Sequence, residues 1–163
     1  MAKKNLSDQV FDVQPADREL LMTRTVNAPR ELVFEVWTDP RHVVQWWGPK
    51  GFTNTVHTMD VRPGGVWSLT MHGPDGVDYP NKIVYKEVIK PERLAWSHGT
   101  GDENDPNQFD VSVNFIARGK KTEIVMRMTF KSKEARDMVV DKYGAIEGNK
   151  QSMDKLEAYL AKL

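Results

Sequence analysis

The sequence predicts an α+β domain: a curved antiparallel sheet of about seven strands wraps around a long C-terminal helix, with two short helices after the first strand. Three observations predict it. Between Ala28 and Gly51, apolar residues recur at helical spacing in two short segments crowded between proline and glycine breaks. From Phe52 to Phe130, apolar and polar residues alternate in runs separated by Gly, Pro and Asp turns. From about Ser132 to Leu163 the period becomes helical again.

Residues 1–17 are polar, lack a clear period and contain Pro15, so they read as a loose leader to a single domain over 18–163. The segment RELLMTRTVN, 18–27, alternates in part, as a half-buried strand does. Ala28-Pro29 opens the first helix, because proline's missing N–H would lack a partner in a first turn anyway. Leu32, Val33, Val36 and Trp37 give its apolar stripe. Asp39-Pro40 closes it and starts the second, which carries Val43, Val44, Trp46 and Trp47 and ends at Gly48-Pro49-Lys50-Gly51.

Six strands follow. They cover 52–62, a Pro63-Gly64-Gly65 turn, 66–72, a Gly73-Pro74-Asp75-Gly76 turn, 78–89, a break at Lys90-Pro91, and 93–98. After the polar loop GTGDENDPNQ, Phe109, Val111, Val113 and Phe115 alternate. Arg118-Gly119-Lys120-Lys121 turns the chain, and Ile124, Met126, Met128 and Phe130 alternate again. In the tail, Ser132 suits an N-cap, and Val139, Tyr143, Ile146, Met153, Leu156 and Leu160 share a stripe. Gly144 and Gly148 weaken the middle of that helix and permit a bend or a close approach.

Composition narrows the function. In 163 residues, 23 Lys plus Arg balance 23 Asp plus Glu, so the total gives no electrostatic footprint for nucleic acid. There is no cysteine, which excludes disulfides, thiolate nucleophiles and Cys-ligated zinc and fits a cytoplasmic setting. No apolar run approaches the roughly 20 residues needed to span a bilayer, and no secretory signal is expected. The four histidines, His42, His57, His72 and His98, share no metal-ligand spacing, so no metal and no cofactor is expected.

A curved sheet gripping one helix leaves space between them, and that space is the expected ligand cavity. Its candidate walls are Trp37, Trp46 and Trp47 from the short helices. From the strands come Trp67, Leu69, Met71, Tyr85, Glu87, Trp96, His98, Val113, Phe115, Met126 and Met128, and from the tail Ile146 and Met153. These side chains either fill the interior or line an apolar, polarizable, methionine-rich cavity suited to irregular ligands. Of the adjacent Trp46 and Trp47, one can cap the core while the other lines the cavity mouth. Alternation puts Tyr85 and Glu87 on one side of the sheet, as a hydroxyl and a carboxyl for orienting a ligand or for acid–base work. His98 follows Leu94 and Trp96 inward and His72 faces out, while Asp60 and Arg62 pair on one strand face. No catalytic set is assigned.

The motifs Ala28-Pro29, Trp37-Thr38-Asp39-Pro40, Trp46-Trp47-Gly48-Pro49, Asp60-Val61-Arg62-Pro63-Gly64-Gly65, Pro74-Asp75-Gly76 and Pro91-Glu92-Arg93-Leu94, in this order, carry a family resemblance. The chain resembles the helix-grip (START-like, SRPBCC) superfamily, which includes START lipid-transfer domains, the major birch-pollen allergen and polyketide cyclases. Within it, the chain is similar to the branch named for activators of the heat-shock protein 90 ATPase. It departs from that branch at Gly148-Asn149, where Gly-Trp is common. The resemblance implies the grip fold and binding of a lipid, aromatic metabolite or polyketide-like molecule. It also leaves two alternatives: a cyclase, dehydratase or hydrolase using the same cavity, or an interaction module whose partner is a chaperone.

Overall fold

The computed structural model describes residues 10–12, 18–99, 104–141 and 144–163. The rest of the expected leader, the middle of the acidic loop and Tyr143 lie outside the described residues.

Strands β1 (Val10–Asp12), β2 (Glu19–Val26), β3 (Thr53–Met59), β4 (Val66–His72), β5 (Asp78–Ile89), β6 (Arg93–Gly99), β7 (Phe109–Arg118) and β8 (Lys121–Phe130) form one antiparallel sheet. Its order is β1-β2-β8-β7-β6-β5-β4-β3, so β3 to β8 is a meander and β2 closes on its last strand. The three-residue β1 is a strand that the leader reading did not contain. The seven longer strands are those the alternation predicts.

Helices α1 (Arg30–Thr38) and α2 (Pro40–Val43) are separated by a single residue with two functions. The Asp39 N–H donates to Glu35 O and completes α1, while its carboxylate accepts from the Arg41 N–H and caps α2. Pro40 then occupies the first turn, where no N–H is needed. Val33, Phe34, Val36 and Trp37 of α1 are buried.

The expected long C-terminal helix is divided. Helix α3 (Lys133–Asp141) begins at Ser132, whose hydroxyl accepts from the Ala135 N–H, and α4 (Ala145–Leu160) begins after Gly144. Gly144 has φ of 62°, a left-handed conformation that glycine enters without a Cβ penalty. The bend allowed at the tail glycines is therefore a full break: α3 packs Ala135, Val139 and Val140 against the core, and α4 packs the part of the stripe that it carries. Met153, Leu156 and Leu160 are buried, each contributing about 1.5–3 kcal/mol of apolar burial.

A second tie holds α4. Arg24 shares the inner face of β2 with Leu20 and Met22 and is only 5% exposed. Its Nη2 lies 2.7 Å from both Asp154 Oδ1 and Glu157 Oε2 of α4. A buried guanidinium is tolerable because two carboxylates and the Lys150 carbonyl receive its donors.

The register shifts at two places in the sheet, between Val56 and Thr58 of β3 and between Tyr85 and Glu87 of β5, and the second changes the face a nominated residue takes. Tyr85 pairs with Trp96 but Glu87 pairs with Ala95, so Lys86 is an extra residue, a β-bulge. The bulge turns Lys86 and Glu87 both outward and restores the inward phase at Val88.

Candidate functional site

The short helices and the sheet meet in a continuous aromatic cluster. Edge-to-face contacts run from Phe34 to Phe115 at 5.7 Å between centroids, Phe115 to Trp37 at 5.4 Å, Trp37 to Trp46 at 4.8 Å, Trp46 to Trp47 at 5.4 Å and Trp47 to Trp67 at 4.7 Å. Such pairs add about 0.5–1.5 kcal/mol each beyond burial. Most of the cluster is core: Trp37, Trp46, Trp67 and Phe115 are buried, and Trp46 Nε1 donates to Val36 O at 3.0 Å. Trp47 is the exception. It is half-buried and turns one face toward a pocket.

That pocket has a volume of about 280 Å³ and lies between the inner face of the sheet and α4. It falls just below the usual range for ligand sites, roughly 300–1,000 Å³. The sheet contributes Met71 of β4, Trp96 and His98 of β6, Phe109 and Val111 of β7, and Met126 and Met128 of β8. The loop after α2 contributes Gly48 and Pro49, and α4 contributes Gly148, Asn149, Ser152 and Met153, with Gly144 and Ala145 at its start. Four methionines on this surface give it side chains that repack around irregular shapes.

Of the residues nominated from sequence, Trp47, Met71, Trp96, His98, Met126, Met128 and Met153 meet at this pocket. Trp37, Trp46, Trp67, Leu69, Val113, Phe115 and Tyr85 instead fill the core. Ile146 is half-buried on α4 away from the lining. Glu87 is a correction: the Lys86 bulge sends it to the outer face, where its carboxylate accepts from Arg93 Nε at 2.7 Å. Asp60 likewise pairs with Arg62 at the surface. Among the described lining residues, His98 is the single ionisable side chain. No cluster of three or more potential metal ligands occurs among the described residues.

Sequence reasoning missed the polar part of the wall. Asn149 Nδ2 donates to Met126 Sδ at 3.5 Å, and the Gly48 N–H donates to Ser152 Oγ at 3.2 Å. The loop over the pocket is latched further by Lys155, whose Nζ donates to the carbonyls of Gly48, Pro49 and Phe52 at 3.2–3.3 Å. Burial pushes the Lys155 amine below its ordinary pKa. Gly148 sits close under the same loop, where a Cβ would stand 3.4 Å from Pro49. Its small size lets α4 approach.

A larger hollow of about 830 Å³ lies outside the grip, between α1 and Lys90. Size alone would favour it, but Glu31, Glu35 and Asp39 line it, and hydrated carboxylates gain little from covering an apolar ligand. The smaller pocket has the better chemistry for one.

The core near the pocket holds hydrogen-bonding groups without protein partners among the described residues: the Trp37, Trp67 and Trp96 indole N–H groups and the Tyr85 hydroxyl. Burial pushes the Tyr85 hydroxyl to a raised pKa, so it stays protonated. An unpaired buried hydroxyl costs about 1–3 kcal/mol. Tyr85→Phe is therefore expected to leave stability unchanged or raise it by about 1 kcal/mol in urea denaturation. A loss above about 1 kcal/mol would mean that the hydroxyl has a partner in solution.

The fold has close solved counterparts. A solution structure of a protein from Arthrobacter aurescens superposes with a TM-score of 0.85 at 22% identity, covering 98% of this chain and 94% of that one. A crystal structure of a protein from Mycobacterium smegmatis gives 0.80 at 28% identity, covering 94% and 96%. A crystal structure described as an AHSA1 protein from Silicibacter pomeroyi gives 0.71 at 22% identity, covering 88% and 97%. No curated protein matches the sequence. The family described as activator of Hsp90 ATPase homolog 1-like protein matches residues 27–161, from the residue before Ala28-Pro29 to the end of α4. With the helix-grip sheet, the split helical entry and this match across most of its length, the chain belongs to the Activator of Hsp90 ATPase homolog 1-like family.

Proposed function

We propose that the protein binds a small hydrophobic or amphipathic molecule, such as a lipid fragment, an aromatic metabolite or a polyketide-like compound, in the pocket between the sheet and α4. The observation that supports this reading is the lining itself: Trp47, Trp96 and four methionines around about 280 Å³, with polar groups confined to a few positions. Water in that volume would face mostly apolar wall. Its displacement gives on the order of 25 cal/mol per Å² of apolar surface covered.

The enzyme alternative requires two ionisable groups on one volume, and His98 is alone there among the described lining residues. The chaperone-partner alternative draws on the family description rather than on a feature of the pocket. The cysteine-free sequence fits a cytoplasmic setting. Among the described residues no helix is long and apolar enough to cross a membrane.

The test is a titration with a panel of neutral lipids, aromatic metabolites and polyketide-like compounds, followed by methyl NMR. The expected result is saturable shifts confined to Met71, Met126, Met128 and Met153. Uniform silence of those four methyls across the panel would sink the reading.

A further inference from the structure

The hydrogen-bond network behind β6 decides which atom of His98 is left for a ligand. Asn81 Nδ2 donates to Tyr79 O at 3.0 Å, which assigns the amide oxygen to the opposite side. That oxygen lies 2.9 Å from His98 Nε2 and can only accept, so Nε2 carries the ring proton. Nδ1 is then a bare acceptor.

The ring cannot easily turn to exchange the two nitrogens. It stacks on Phe109 with centroids 5.0 Å apart and 15° between planes, and both residues are pocket wall. Burial pushes the imidazole down to about 4, so the ring is uncharged at neutral pH. Of the other polar side chains on the wall, Ser152 Oγ accepts from the Gly48 N–H and Asn149 bonds Met126, while the Trp96 indole N–H, buried without a protein partner among the described residues, is a donor and cannot receive a ligand's hydroxyl or N–H.

We infer that the pocket takes a neutral, largely apolar molecule carrying one hydroxyl or N–H group, which donates to His98 Nδ1. This rests on the small-molecule reading above and narrows it to a ligand class. A ligand without a donor strips water from Nδ1 and gives nothing back. A carboxylate is worse, because it brings acceptors to an acceptor and finds no cation on the described wall. The pocket therefore selects alcohols, phenols and amides over their hydrocarbon and acid counterparts, and His98 is the residue that determines this specificity.

Three naphthalenes of similar size test it: 2-naphthol, 2-methylnaphthalene and 2-naphthoate. They are titrated into the full chain at neutral pH, with methionine methyl shifts and the ¹⁵N resonances of His98 as readouts. The naphthol is expected to bind about five- to tenfold more tightly than the methyl compound, with the naphthoate weakest. The Nδ1 resonance is expected to move upfield with the naphthol and stay in place with the methyl compound, a readout that needs no substitution. In His98→Phe, which keeps an aromatic ring against Phe109, the ratio of the two neutral affinities is expected to fall to about one.

Equal affinities for the two neutral compounds overturn the inference and leave the pocket reading standing. So does tighter binding of the naphthoate, a stationary Nδ1 resonance, or a naphthol preference that survives in His98→Phe. Failure of all three compounds to shift the methionine methyls removes the pocket reading, and this inference with it.

Discussion

Arg24→Ala is expected to destabilise the protein by about 3 kcal/mol, because it removes the polar tie between β2 and α4. The guanidinium is buried on an apolar strand face, and its methylene stem contributes packing as well as charge. The partner carboxylates can rehydrate, since Asp154 and Glu157 side chains are 48% and 33% exposed. That places the loss at the low end for a broken buried pair. Arg24→Met, which refills the stem's volume, is expected to lose less, about 1–2 kcal/mol. The pair also makes stability acid-sensitive. Burial alone would raise the Asp154 carboxyl, but the hydrogen bond and charge of Arg24, with help from Lys150, outweigh it and hold the group below 3.8. The folded state thus binds this proton more weakly than the unfolded one. The contribution is complete above pH 3.8 and is lost as pH falls through the folded value. Urea denaturation at neutral pH and again in acid, on the native chain and both variants, checks this. An Arg24→Ala chain as stable as the native one, or one that loses as much stability in acid, would refute the assignment.

Arg24 also marks what the sequence could and could not reveal. A charge inside an alternating strand reads as an outward residue, and its partner Asp154 is 130 positions away, so no local pattern announces the pair. The helical entry was legible because its chemistry is local: Asp39 ends one helix and caps the next within three residues. The seven longer strands were legible because half-buried sheets alternate, and enough of that pattern survives in each even though β3 and β5 carry register shifts. The bulge was not legible. Lys86 and Glu87 are both polar, so alternation continues plausibly in either phase, and Glu87 was assigned to the wrong face. The apolar half of the pocket followed from strand parity, which carried Trp96 and His98 inward together. Its polar half did not. The residue order marks Gly148 for a close approach of the helix, but nothing in it distinguishes Asn149 and Ser152 as pocket wall from a solvated face. The same limit separates fold from function. Residue pattern specifies an enclosure, whereas the inferred ligand preference turns on which atom of one histidine is left free.

The Asp60-to-Gly65 motif, conspicuous in the sequence, yields the second large expected effect. Gly65→Ala is expected to cost on the order of 3 kcal/mol or more, because an added Cβ would stand 2.0 Å from the Asp60 carbonyl oxygen and 2.9 Å from that of Arg62. Both obstacles are backbone, so no rotamer change relieves them. The turn cannot retreat either. The Gly64 N–H donates to Tyr85 O at 2.8 Å and the Tyr85 N–H donates to Gly65 O at 2.9 Å. These bonds pin the turn to β5 directly before the Lys86 bulge, and shifting the turn would disturb the residue that fixes the bulge's phase. The neighbouring glycine makes the control. Gly64 has φ of 82° with no atom within 4 Å of an added Cβ, so Gly64→Ala meets torsional strain alone, about 1–2 kcal/mol. Denaturation midpoints of the two variants should therefore separate clearly, with Gly65→Ala the weaker protein. If Gly64→Ala is the more damaging, torsion rather than backbone crowding governs this turn, and the account of why two glycines stand there is wrong.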